Sequence, residues 1–128
     1  MVKKIFISAI LLGLIAVVFG AFAAHGLRSA LSVLSLESFQ TGVRYQMYHA
    51  FFLFVVVLLP QLTPAQKSRL FWLTIIGVVL FSGSIYLLST NTLTPIDFGF
   101  FGPITPIGGL FLISAWGVLF YHTLKNKF

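Results

Sequence analysis

The sequence predicts an all-α integral membrane protein. The expected form is a four-helix bundle with both termini on the cytoplasmic side and an irregular Pro/Gly/Phe-rich outer loop before the last helix. Three observations carry this reading. The eight basic and two acidic residues leave four uncharged stretches, Ile5–Leu27, Tyr45–Gln66, Leu70–Ile96 and Phe98–Leu124. Each exceeds the ~20 residues that an apolar helix needs to cross a hydrocarbon core. Hydrophobic residues make up 59% and charged residues 8% of the 128, whereas a soluble domain carries about 25% charged residues. The net charge of +6 also lies on one side of the predicted membrane. Lys3, Lys4, Lys67, Arg69, Lys125 and Lys127 flank one face, while Arg28, Arg44, Glu37 and Asp97 cancel on the other. Basic residues in short loops mark the cytoplasmic side.

Composition excludes much chemistry. There is no cysteine, so disulfides, thiol nucleophiles and thiolate metal sites drop out. With two carboxylates, paired-carboxylate hydrolysis and oxygen-ligand cation cages have almost no material. The basic residues end apolar runs rather than forming a stripe, which argues against nucleic acid. Fifteen Phe suit a lipid-facing shell.

The elements follow in order within one membrane domain (1–128), with spans near 5–24, 43–60, 69–89 and 106–124. In the first, Ala16, Gly20 and Ala24 recur every four residues, and Ala9 and Gly13 form a second pair, a spacing that lets helix backbones approach closely. Lys3-Lys4, the apolar run and Ala21-Phe22-Ala23 also resemble a secretory signal. Cleavage would leave three spans and break the charge agreement, so the segment is read as a mature span. Gly26 ends it, and Leu27–Leu34 reads as an amphipathic interfacial stretch. Ser35 is the expected cap of the second helix, with Glu37 in its first turn, and Pro60 closes that helix.

Thr63, Pro64 and Gln66 form a capping box with proline in the first turn. The third helix then continues to about Ser89 and contains a small polar patch, Phe81-Ser82-Gly83-Ser84. The outer loop Thr90–Thr105 holds Pro95, Asp97, Gly99, Gly102 and Pro103 with Phe98, Phe100 and Phe101, and is expected to fold back on the bundle. Thr105 reads as the cap of the last helix, with Pro106 in its first turn and Gly108 and Gly109 following. Trp116, Tyr121 and His122 fall toward the inner interface.

One polar constellation stands out. Glu37, Gln40, Arg44 and Tyr48 share a face of the second helix, and Thr41, Tyr45, His49 and Phe52 form the neighbouring stripe. His49 falls about 16 Å from the inner end, near the midplane. Ionisable groups at that depth face the protein interior or a wet cavity. Two readings stand open: a polar site or proton path through Arg44, Tyr45, Tyr48 and His49, or a structural role. In the structural case Arg44 pairs with Glu37 or Asp97 and His49 bonds a backbone carbonyl or hydroxyl. Haem ligation by His25 and His49 requires two imidazoles at one depth, and straight helices put them about 14 Å apart. No metal, cofactor or catalytic set is therefore assigned.

Four ordered motifs carry a resemblance. They are Gly20–Leu27 (Gly-Ala-Phe-Ala-Ala-His-Gly-Leu), Thr41–Ala50 (Thr-Gly-Val-Arg-Tyr-Gln-Met-Tyr-His-Ala), Leu80–Tyr86 and Ile104–Gly109. Together they resemble a family of small four-span membrane proteins, the YwdK-like and YgdD-like group, labelled as domain of unknown function 423. Ala23 departs from the glycine more usual there. The resemblance implies a multi-pass protein of the bacterial plasma membrane and implies no activity. His25, Arg44, Tyr48, His49, Pro106 and Gly108 lie in its motifs.

For function, the leading expectation is a non-enzymatic membrane subunit or assembly partner, surrounded by the lipid bilayer and joined to a membrane-protein partner or a second copy. The alternatives are a small transporter or channel using the polar face of the second helix, and binding of a lipid or quinone headgroup at the outer face. The topology is directly testable. A reporter that matures only in the cytoplasm should be active when fused after Phe128, and a reporter that matures only outside should be silent there. The reverse pattern would overturn the charge reading.

Overall fold

The computed structural model describes residues 1–128 as a bundle of four long helices without strands: α1 (Val2–His25), α2 (Val33–Leu58), α3 (Pro64–Ser89) and α4 (Ile104–Lys125). Each is long and apolar enough to cross a membrane, α4 together with the short turn ahead of it. The start of α1, the α2–α3 turn and the end of α4 lie at one end. Lys4 Nζ stands 4.4 Å from the Trp72 ring centroid, and Asn126 Nδ2 donates to Gln61 O at 2.8 Å. Both termini therefore share an end, called here the terminal end; the opposite one is the loop end.

Helices α2 and α3 are central, with 44% and 39% of their most apolar stretches buried, against 17% for α1 and 22% for α4. The terminal half packs around Ile5, Ala9, Leu53, Val56, Leu70 and Ala115. A smaller cluster of Ala23, Leu27 and Phe39 fills the loop half, where the Tyr86 ring lies 5.0 Å from both Phe19 and Phe39. Lipid tails are as apolar as leucine, so close packing rather than hydrophobic exclusion holds such helices together. The α1 seam shows this. Ala9, Ala16 and Ala23 are buried seven residues apart, the repeat that keeps one seam facing a partner along a long helix. Gly13 and Gly20 face Ala50 and Val43 of α2. Ala24, expected in that seam, is exposed.

The closest approach is between α3 and α4. Helix α3 is α-helical over Pro64–Val78 and Ser84–Ser89 but widens to a π-helical turn at Val79–Gly83. Gly108 of α4 lies directly on that turn. A Cβ there would collide with the Phe81 backbone nitrogen and come within 2.6 Å of the Leu80 carbonyl carbon. One turn further, a Cβ at Gly77 would meet Leu112 Cδ2 at 2.5 Å. On its other side the π turn is tied to α2, where Ser82 Oγ donates to Gly42 O at 2.7 Å.

The helix starts differ in part from expectation. The Thr63 capping box forms, with Thr63 Oγ1 accepting from Gln66 N and Thr63 N donating to Gln66 Oε1. Helix α2, however, is capped by Ser32, whose Oγ accepts from Ser35 N at 3.2 Å. Ser35 is thus three residues inside the helix and Glu37 is beyond its first turn. The stretch before it is a tight turn anchored by Leu27, which is buried in the loop-half cluster. Thr105 is not the cap of α4 either. The helix starts at Ile104 without a side-chain cap, and Thr105 Oγ1 instead shares a 2.6 Å hydrogen bond with Ser84 Oγ. Tertiary bonding to α3 takes the hydroxyl that a local cap would use.

In the loop between α3 and α4, Asn91 and Asp97 make a small knot. Asp97 Oδ1 accepts from Gly99 N at 2.9 Å and Asn91 Nδ2 at 3.2 Å, and Asn91 Oδ1 accepts from Phe98 N. The Gly99 amide, with help from Asn91, holds the Asp97 carboxyl below its ordinary titration range. The turn at Gly99–Phe101 folds back, bringing Phe101 beside Leu80, Ser84 and Leu87 of α3, while residues 92–97 stay exposed.

The Gly108 contact yields a prediction. Gly108→Ala should destabilise the bundle by about 1–3 kcal/mol, the usual range for overpacking, seen as a lower thermal midpoint in detergent. Gly83→Ala, whose Cβ meets nothing within 4 Å, should leave the midpoint nearly unchanged. Equal effects from both would refute the close approach.

Candidate functional site: a lateral groove between α2 and α4

Among the buried residues of α2, Phe39, Gly42, Gln46, His49, Leu53 and Val56 form a stripe of alternating three- and four-residue spacings, with Ala50, Phe52 and Val57 buried beside it. That is the inward face of a helix packed at a shallow angle. It includes two polar side chains, and each is fully used.

Gln46, 4% exposed, joins three helices. Its Nε2 donates to Leu12 O of α1 at 2.8 Å, and its Oε1 accepts from the Tyr86 hydroxyl of α3 at 2.7 Å. His49, 3% exposed, has both ring nitrogens engaged. Nδ1 lies 2.7 Å from Tyr45 O. A carbonyl can only accept, so Nδ1 carries the proton. Nε2 then accepts, and the Trp116 indole Nε1–H donates to it at 3.2 Å. The ring is therefore the neutral Nδ1–H tautomer. With Nε2 on Trp116 and Nδ1 on its own helix, it offers no free lone pair to a metal.

Beside His49 a groove of about 470 Å³ opens sideways between α2 and α4. Tyr45, Phe81 and Trp116 wall it, and Gly109, Leu112 and Ile113 form the α4 side. Its rings are packed together: Tyr45–Phe81 at 5.1 Å, His49–Trp116 at 6.3 Å and Phe52–Trp116 at 4.7 Å between centroids. Trp116 thus packs on His49 and Phe52 rather than anchoring at the inner interface. The π turn carries Phe81 into the groove, and π turns recur at functional sites.

The sequence-derived cluster divides. Tyr45 and His49 meet at the groove, and Tyr48 packs its ring 5.6 Å from Tyr45. Arg44 and Tyr48 face outward. Arg44 Nη2 donates to Thr41 Oγ1 at 2.9 Å and pairs with neither Glu37 nor Asp97. A surface threonine one turn away is nearer than either carboxylate. Glu37 is exposed in the loop half of α2, and His25 is exposed in the last turn of α1. Gly20 faces Val43, so His25 lies roughly 16 Å from His49 along the bundle axis. Of the loop and helix-start residues, Thr105 bonds Ser84, Pro106 is exposed, Gly108 meets the π turn and Gly109 lines the groove.

Three groups escaped sequence reasoning: Gln46, Tyr86 and Trp116 as a partner of His49. The three-four spacing through Gly42 was the available signal. Reading α2 from its charges instead selects the outward face. A second polar knot, at the terminal end, also emerges. Gln66 Oε1 accepts from Thr63 N and Asn126 Nδ2, which fixes its amide so that Nε2 donates to His122 Nδ1 at 3.1 Å.

Fold and site define a small multi-span helical membrane protein with a packed polar seam and a groove open to lipid. Its sequence places it further. The chain belongs to the family described as protein of unknown function (DUF423), whose model matches residues 19–109. It is 40% identical over 114 residues to the UPF0382 membrane protein YwdK of Bacillus subtilis, covering 88% of this chain and 89% of that one. It is 39% identical over 117 residues to a UPF0382 membrane protein of Haemophilus influenzae, covering 90% and 89%. To the UPF0382 inner membrane protein YgdD of Escherichia coli it is 30% identical over 128 residues, covering 94% and 89%. No solved structure matches. The protein is thus a bacterial-type membrane protein of a family without an established activity.

The Gln46–Tyr86 bond is measurable by a double-mutant cycle. Tyr86→Phe and Gln46→Leu should each lower stability in mixed micelles, and the pair should lose less than the sum. The expected coupling is about 0.6 kcal/mol, the average for a hydrogen bond between membrane helices. Strict additivity would show that the two side chains do not bond.

Proposed function

We propose that this protein is a non-enzymatic binding protein of the bacterial plasma membrane that holds a lipid-soluble small molecule in the α2–α4 groove, with both termini cytoplasmic. The observation carrying this reading is an aromatic-walled groove of about 470 Å³ that opens toward lipid and ends on a buried imidazole. Binding sites of this kind are mostly apolar with a few placed polar groups. A ligand arriving from the bilayer needs a lateral entrance, and the groove supplies one.

The other sequence-derived readings receive less support. An ion or solute path along the bundle axis would run through the contacts at Gly42, Gly77 and Gly108, where even a Cβ lacks room. Non-enzymatic action is favoured because neither buried imidazole is hydrogen-bonded to a hydroxyl that it could activate. The membrane-subunit reading keeps one specific support. Arg44 and Tyr48 are exposed on α2, and polar groups facing lipid are costly unless a partner or headgroup covers them.

The test is mild extraction followed by native mass spectrometry. The expected result is a retained small molecule on the wild-type protein that is lost from Gly109→Leu, which fills the groove; a Cβ at Gly109 makes only ordinary contact with Phe81, at 3.7 Å. A stoichiometric protein partner with no small molecule would instead favour the subunit reading and sink this one.

A further inference from the structure

The hydrogen bonds at the base of the groove say which functional group a ligand must carry, an inference that rests on the groove being the binding site. Two polar atoms meet there: the Trp116 Nε1–H, which only donates, and His49 Nε2, which only accepts because Nδ1 holds the ring proton against Tyr45 O. Their separation of 3.2 Å is at the long limit for a hydrogen bond. Trp116 is also 53% exposed, so its indole has room to swing outward. The pair is a weak closure that a ligand group can open.

We propose that the groove selects a lipid-soluble alcohol, whose hydroxyl inserts between Trp116 and His49, accepting from the indole N–H and donating to the imidazole Nε2.

Alternatives fail on the same geometry. A carbonyl or ether oxygen can accept from Trp116 but leaves Nε2 without a donor. His49 is 3% exposed and lies in the membrane-spanning part of α2, where water does not replace the lost bond. An ammonium group could donate to Nε2 but would bring a charge with no counter-ion. The chain has two carboxylates, Glu37, exposed in the loop half of α2, and Asp97, in the loop between α3 and α4, and neither lines the groove. A hydroxyl is neutral and both donates and accepts, so it satisfies both atoms. The Tyr45 hydroxyl, which can play either role, adds affinity without discrimination. The apolar walls then take the hydrocarbon chain.

Farnesol and farnesyl methyl ether test this, since they share a chain and differ by one hydrogen-bond donor. The Trp72→Phe protein leaves Trp116 as the only tryptophan, so its fluorescence reports occupancy in micelles. Farnesol should bind at least tenfold tighter than its ether, and His49→Phe should bring the ratio close to one. Nitrogen-15 NMR of the wild-type protein gives a second reading that does not depend on that variant folding. Farnesol should shift both His49 Nε2 and Trp116 Nε1, and the ether, which cannot open the pair without stranding Nε2, should move neither nitrogen. Equal binding of the two probes to the wild-type groove would overturn hydroxyl selection while leaving the groove as a binding site. Binding of neither would overturn the groove reading itself, and this inference with it.

Discussion

Backbone contact between Gly108 and the π turn of α3 is the constraint on which the rest of the bundle depends. Inside a bilayer, helices gain little by hiding apolar surface from one another, so they must gain by fitting. Here the fit leaves no space for a Cβ. The π turn presents a widened stretch of backbone, and a residue without a side chain lies on it. On the opposite side Ser82 of the same turn reaches the Gly42 carbonyl. One short segment therefore fixes α3 against both α4 and α2. The spacing between those two helices, and so the width of the groove, follows from it, as does the position of Phe81 in the groove wall.

Polar groups on the inward face of α2 are each committed to a partner on a named atom, whereas Gln61 Oε1 and His122 Nε2, at the terminal end, are buried without one. Gln46 spans three helices, and His49 is held in one tautomer by a carbonyl and an indole. In hydrocarbon there is no water to complete a half-satisfied network. The outcome is a polar seam that specifies register. A one-residue slip of α2 would strand a glutamine, a tyrosine and a histidine at once. The outward residues Arg44 and Tyr48 differ. They face the bilayer, and Arg44 keeps a bond to Thr41 within its own helix.

How far the sequence could be read depended on whether a feature is local. The four spans are legible because bilayer thickness translates directly into run length. The Thr63–Gln66 capping box is legible because all its atoms lie within four residues. Ser35, with Glu37 close behind it, reads as the cap of α2, but Ser32 holds that place three residues earlier, following the turn that the buried Leu27 anchors. Thr105 looks like a cap in isolation and is claimed by Ser84, twenty-one residues away. The site was half legible. Tyr45 and His49 were found through the cost of burying ionisable groups, and Gly109 through its motif. Trp116 and Phe81 come from other helices, and no pattern within α2 points to them. The π turn announces itself in sequence only as a small polar patch.

Gln66 has a consequence for how the protein is made. Its carbonyl oxygen holds the first turn of α3 and the side chain of Asn126, and its amide holds His122. Both of those partners lie far along the chain, His122 in α4 and Asn126 just after it, so they reach Gln66 only once α4 has been made. The α1–α2 hairpin has its alanine seam and the Gln46–Leu12 bond on its own, while Gln46 Oε1 and His49 Nε2 wait for Tyr86 and Trp116. The α3 start waits as well, and the Gln66 side chain stays half-used until α4 arrives. Arrival of α4 thus completes a hydrogen-bonded cap begun sixty residues earlier, and a chain cut before His122 would keep the seam of its first hairpin but lose both distant partners of the Gln66 side chain.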